Sequence, residues 1–142
     1  MVNLDGRAQS APRSKRLLQC AIAVLALIPL FAGIFGVVRG PAFLDVTPPW
    51  PTDLDSHFRF LSGVFLMLGL IFYSTIPDIE RKTERFRLGA LMIVAGGLAR
   101  LLSLGLHGVP SFGHVGGLVM ELVVVPLLVL WQAHVAREAG TR

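Results

Sequence analysis

Three ionisable residues, Arg59, Arg100 and Glu121, stand inside stretches of sequence that are otherwise apolar. Charge in such a setting is costly, so it faces inward and finds a partner. A desolvated carboxylate beside arginines could serve as an acid, a base or an anchor. Arginine favours the ionised form, which suits an anchor better than a proton donor. Asp55 lies four residues before Arg59 and shares its helical face, so it offers a second carboxylate. The simplest arrangement pairs Glu121 with Arg100, with Arg59 or with both. Ser103 and His57 stand close by in sequence. Asp55, His57, Arg59, Arg100, Ser103 and Glu121 are therefore the predicted polar cluster, either a ligand-binding site or a structural one.

Other constellations carry less. Asp53, Asp55 and His57 form a D-x-D-x-H run, with His107 and His114 expected on the same side. These lack the tight ligand spacing of metal sites, and on a helix His57 points away from Asp55 and Arg59. Thr52 followed three residues later by Asp55 reads instead as a capping box behind Pro51. No metal and no cofactor are predicted. The sequence has no Walker A loop, no G-x-G-x-x-G, no H-E-x-x-H and no G-x-S-x-G.

Four apolar runs must position these residues. They span about 17–38, 55–76, 87–106 and 115–133. A helix rises about 1.5 Å per residue, so about 20 residues cross the roughly 30 Å of bilayer hydrocarbon. The first run, LLQCAIAVLALIPLFAGIFGVV, follows a basic stretch. It is longer than the apolar core of a signal peptide and lacks a clean cleavage site, so it reads as a retained anchor. Pro29 and Pro126 are expected to kink the first and fourth helices. The connections are short: 39–55, PDIERKTERFR over 77–87 (a solvated turn) and HGVPSFGH over 107–114. The expected fold is all-α, an integral membrane four-helix bundle running up-down-up-down. The transmembrane domain is 17–134, with a disordered cytoplasmic tail over 1–16 and a second tail over 135–142.

Composition agrees. Of 142 residues, 54% are hydrophobic and 15% charged, against about 25% charged in a soluble domain. The mean hydropathy is +0.68. The net charge of +4 reads as topology and attraction to anionic lipid rather than nucleic-acid binding, because the basic residues flank apolar runs. Arg7, Arg13, Lys15 and Arg16 precede the first run. Arg81, Lys82, Arg85 and Arg87 follow the second, and Arg137 and Arg142 close the chain. Only Arg39 lies beside the opposite ends, so both termini and the second loop are placed inside. Arg59, Arg100 and Glu121 then fall at about 5–10 Å below the outer boundary. Cys20, the single cysteine, excludes an internal disulfide and reads as a small buried hydrophobe.

Steps of three and four predict inward stripes. These are Asp55, Arg59, Ser62, Leu66, Gly69 and Tyr73; then Gly89, Ile93, Gly96, Arg100, Ser103 and His107; then His114, Gly117, Glu121, Val125, Leu128 and Gln132. Small residues at such positions allow close helix approach, and Gly113 and Gly117 add one G-x-x-x-G.

The stretches LDSHFRFLSGVFLMLGLIF, IPDIER, GGLARLLSLGLHGVP and MELVVVP together resemble the bacterial domain-of-unknown-function family numbered 4345, over about 17–134. The most specific elements are D-x-H-F-R at the second helix, A-R-L-L-S in the third, and the Glu and Pro of the fourth. They match here as Asp55, His57, Phe58, Arg59, Arg100, Ser103, Glu121 and Pro126. The resemblance implies a small four-helix protein of the bacterial inner membrane and carries no assigned activity.

Three functions fit. A non-catalytic membrane component (accessory subunit, assembly factor or lipid-binding module) needs only the bundle and its cluster. A small-molecule or lipid-headgroup binder, or a membrane enzyme, would use Glu121 with Arg59 and Arg100. A small transporter is the third, although short four-helix exporters carry their key glutamate in the first helix, where this chain has no charge. Expected partners are the lipid bilayer and either another membrane protein or a second copy.

Overall fold

The computed structural model describes residues 13–140. The expected disordered tail falls largely outside them, but its last residues, Arg13 to Arg16, open a helix. Helix α1 (Arg13–Leu25) and helix α2 (Leu27–Arg39) form one long rod interrupted at Ala26. The break lies one turn before Pro29, which has no N–H to give the Leu25 carbonyl and whose ring crowds it. The Leu30 amide reaches the Ala26 carbonyl at a stretched 3.4 Å. A 3-10 turn, Gly40–Leu44, ends the rod.

Helix α3 (Thr52–Thr75) follows, running into a 3-10 turn at Ile76–Asp78. Its N-cap is Pro51, and no side chain caps it. The expected Thr52–Asp55 capping box is therefore absent, because the Asp55 carboxylate is drawn to Arg59 instead. Helix α4 is Thr83–His107. Helix α5 (Phe112–Val119) passes through a π-helical turn, Met120–Val124, into α6 (Val125–Gly140). That turn abuts Pro126, which cannot continue regular hydrogen bonding and relaxes into a wider winding. The fourth long helix thus begins at Phe112, earlier than expected. The result is all-α, with no strand among the described residues, and its four long helices are each long and apolar enough to cross a membrane.

One end, called here the basic end, is a closed ring in which α1, α3, α4 and α6 meet. Leu18, Ile22, Leu68, Phe72, Ile79, Phe86 and Val135 form its core. The rings of Phe72 and Phe86 meet edge to face at 5.4 Å. Polar contacts lock the ring. The Gln132 amide, fully buried, donates to the Ile79 carbonyl at 2.9 Å and to Thr83 Oγ1 at 2.8 Å. Gln19 donates to the Ile76 carbonyl, Tyr73 to the Ala23 carbonyl, and Trp131 Nε1 to Ser14 Oγ. Lys15 and Glu80 form an ion pair at 2.8 Å. The second loop is therefore packed into the ring through Ile79 and Glu80, rather than being a wholly solvated turn.

Towards the other end the bundle divides. No Cα of α5 comes within 8 Å of one in α2 or α3, and none of α4 does so with α2. One arm is α2 against α3, the other α4 against α5 and the π turn. The first arm is very tight. A methyl group placed on Gly33 would lie 2.6 Å from Leu66 Cβ and 2.7 Å from its Cα, and one on Gly36 would overlap Ser62. Such contact needs glycine, because a Cβ would hold the backbones apart.

Exposed leucine, valine and phenylalanine side chains surround all four helices. Cys20 is also exposed, not buried as expected, because α1 turns Leu18 and Ile22 inward and leaves Cys20 on its outer face.

Candidate functional site

The expected charges separate into two pairs, one on each arm. Arg100 on α4 clasps Glu121 on the π turn through two parallel bonds, Nε to Oε2 at 3.0 Å and Nη2 to Oε1 at 3.1 Å. This fork-on-carboxylate geometry is the strong form of the interaction. Glu121 is nine-tenths buried. Its place depends on Gly97, where a methyl group would lie 2.8 Å from both Glu121 Cβ and Leu122 Cδ2.

Arg59 instead clasps Asp55 one helical turn away, Nε to Oδ2 at 2.8 Å and Nη2 to Oδ1 at 3.1 Å. Its remaining nitrogen donates to the carbonyls of Val37 and, at 3.1 Å, Val38. Those carbonyls lie in the last turn of α2, where no helical N–H reaches them and the dipole is negative. The Asp55–Arg59 pair is thus a side-chain cap on α2, delivered from α3. Gly40 makes room for it: its φ is +57°, and a methyl group there would lie 2.5 Å from Asp55 Oδ1. Arg59 belongs to this cap, and Glu121 pairs with Arg100 alone among the described residues.

His57 is exposed, as are Ser103 and His107, so these join neither pair. On α4 the inward stripe runs through Gly97 rather than Gly96, which is exposed. The described residues contain no group of three or more His, Cys, Asp or Glu side chains placed to hold a metal ion.

Between the arms lies a cavity of about 450 Å³, within the roughly 300–1,000 Å³ of small-ligand sites. Ile22 and Pro29, Phe65 and Phe72, Ile93, and Met120 and Val125 contribute apolar wall from all four long helices. Glu121 is the one ionisable side chain in that wall. Gly113 and Gly116 also line it, and a methyl group on either would meet nothing within 4 Å. Of the G-x-x-x-G pair on α5, Gly113 therefore faces open space, whereas a methyl group on Gly117 would lie 4.0 Å from Arg100 Cζ on α4. The glycines on α5 and the two prolines were the available sequence signal for this cleft, since they thin one wall and bend two rods around it.

A family model described as "Domain of unknown function (DUF4345)" matches residues 17–132. The chain belongs to that family. No curated protein and no solved structure matches it. The DUF4345 match takes in both ion pairs, every wall of the cavity and Gln132, whose amide latches the ring.

Within the DUF4345 domain the cavity can accept an apolar body and meet it with one polar locus. Arg100 occupies both Glu121 oxygens. Each oxygen retains a lone pair for one further donor. The pair is neutral overall, so it suits a hydroxyl or amide better than a free ion.

Proposed function

We propose that this chain is a non-catalytic integral membrane component, a lipid-binding module that receives the chain of an amphiphilic molecule between its two arms. In this reading the four helices run up-down-up-down through a bacterial inner membrane, with both termini and the basic end in the cytoplasm. The excess of lysine and arginine at that end supports the orientation. Apolar side chains exposed on every helix support immersion in lipid.

The observation that carries the function is the apolar cavity with the Glu121–Arg100 pair in its wall. It is open between the arms, where lipid chains would have lateral access, and its polar locus is neutral overall. A catalytic carboxylate would need freedom to exchange a proton. Glu121, clasped twice, is placed to anchor.

The test is mass spectrometry of small molecules, lipids and proteins that copurify with the full chain from native membranes in mild detergent. Gly116→Leu extends a side chain into the cavity from a position where a Cβ meets nothing within 4 Å, and Glu121→Gln removes the anchoring charge. The expected result is one amphiphile present in the parent protein and lost in both variants. A stoichiometric protein partner with an empty cavity would instead make the chain an accessory subunit.

A further inference from the structure

A second groove lies outside that cleft, between α3 and α4 near the basic end, with a volume of about 370 Å³. Met67, Leu70, Leu88 and Met92 form its apolar length, and Ser74 and Arg85 close it at the basic end. Gly89 lines its floor, and a methyl group there would point away from the groove to within 3.2 Å of the Phe72 ring.

Charge at the closed end is unevenly spent. Lys82 donates to the Ser74 carbonyl at 2.7 Å and lies 3.6 Å from Asp78, so it offsets both the C-terminal dipole of α3 and the nearest carboxylate. Arg85 makes one side-chain bond among the described residues, to Ser74 Oγ at 3.3 Å. A guanidinium has five donors, so most of its fork is open. Arg81 and Arg87 add positive charge on the same short stretch.

We propose that this groove binds one anionic phospholipid, its phosphate on the open fork of Arg85 and an acyl chain along Leu70, Leu88 and Met92; the Ser74 hydroxyl, which donates to the Ile71 carbonyl at 2.6 Å, serves only to hold Arg85 in place. An arginine fork matches phosphate oxygens. The apolar floor runs on directly from the charge, which a free anion would leave unused and a lipid fills. Basic pockets between helices at a cytoplasmic interface hold anionic headgroups by the same physics. The site rests on the membrane reading above but uses none of the central cavity.

The full-length protein is first extracted from membranes with alkaline carbonate, then titrated in detergent by native mass spectrometry. The probes are phosphatidylglycerol and phosphatidylcholine of identical chains, with inorganic phosphate as competitor. The expected result is retention in the membrane pellet, a preference for phosphatidylglycerol, and a loss of about tenfold in that preference in Arg85→Gln, the value of one charge-assisted bond. Leu70→Trp, which fills the groove and leaves Arg85 intact, should also displace the lipid. Equal retention of both lipids, an undiminished preference in either variant, or displacement by millimolar phosphate overturns the proposal while leaving the membrane reading in place. Release by carbonate overturns both.

Discussion

Gly33→Ala and Gly63→Ala place the same methyl group in the same helix pair with opposite consequences. At Gly33 the new carbon would lie 2.6 Å from Leu66 Cβ, 2.7 Å from Leu66 Cα and 2.7 Å from its amide nitrogen. Carbon atoms rest at about 3.5–4.0 Å. Two of the atoms met are backbone, so no rotamer change relieves the overlap and α2 must move from α3 by about 1 Å. That shift lengthens the 3.1 Å bond from Arg59 to the Val38 carbonyl beyond hydrogen-bonding range. Overpacking of this kind costs about 1–3 kcal/mol. At Gly63 the nearest atom is Val37 Cγ2 at 4.0 Å, an ordinary contact, so alanine there keeps its helix-forming advantage of up to about 1 kcal/mol. Denaturant-induced unfolding in detergent micelles, followed by circular dichroism, should place Gly33→Ala below the parent and Gly63→Ala level with it or above. Equal stability of the two variants would refute the close packing of this arm.

Other outcomes follow from the same geometry. Arg100→Gln should destabilise by about 3 kcal/mol, because it strands a buried carboxylate; adding Glu121→Gln should recover much of that in a double-mutant cycle, and additive losses would deny the pairing. Gly40→Ala should destabilise through its positive φ and through Asp55, with an unfolding midpoint below that of the parent in the same detergent assay. Gln132→Leu should cost about 1–3 kcal/mol by leaving the Ile79 carbonyl without its donor, seen as a lower unfolding midpoint. Cys20 should resist aqueous maleimide in intact vesicles and react after denaturation, since its outward face would meet lipid; rapid labelling in vesicles would place that face in water.

The four helices were legible because length and apolar content decide them almost alone, and residues 17–38 held no charge to argue otherwise. The inward faces of α3 and of the π turn with α6 were equally legible: Ser62, Gly69, Glu121, Val125 and Gln132 are buried at their predicted steps. On α4 the steps chose Gly96 over Gly97. Both are glycine, and only the neighbouring Glu121 and Leu122 distinguish them. Arg59 was the harder case. Depth put it level with Glu121, but depth says nothing about lateral position, and two arms that diverge carry level charges apart. Its actual partners, the Val37 and Val38 carbonyls, are backbone atoms with no mark in the residue pattern. Ile79 and Glu80 were read as solvated because charge surrounds them, whereas the side chains of α1 and α6 fold over that turn.

A bundle locked at one end and divided at the other is a lever. Measured from Ala90, buried at the ring, to His107 at the tip, α4 extends about 26 Å at about 1.5 Å per residue. A tilt of about 10° at the ring therefore moves the tip by about 4–5 Å over that length. Helices in lipid adjust their tilt to the thickness of the hydrocarbon around them, at a cost of fractions of a kcal/mol per Å of mismatch. On the membrane reading proposed above, thinning of the bilayer would splay the arms, and the width of the cleft would follow the thickness of the surrounding hydrocarbon.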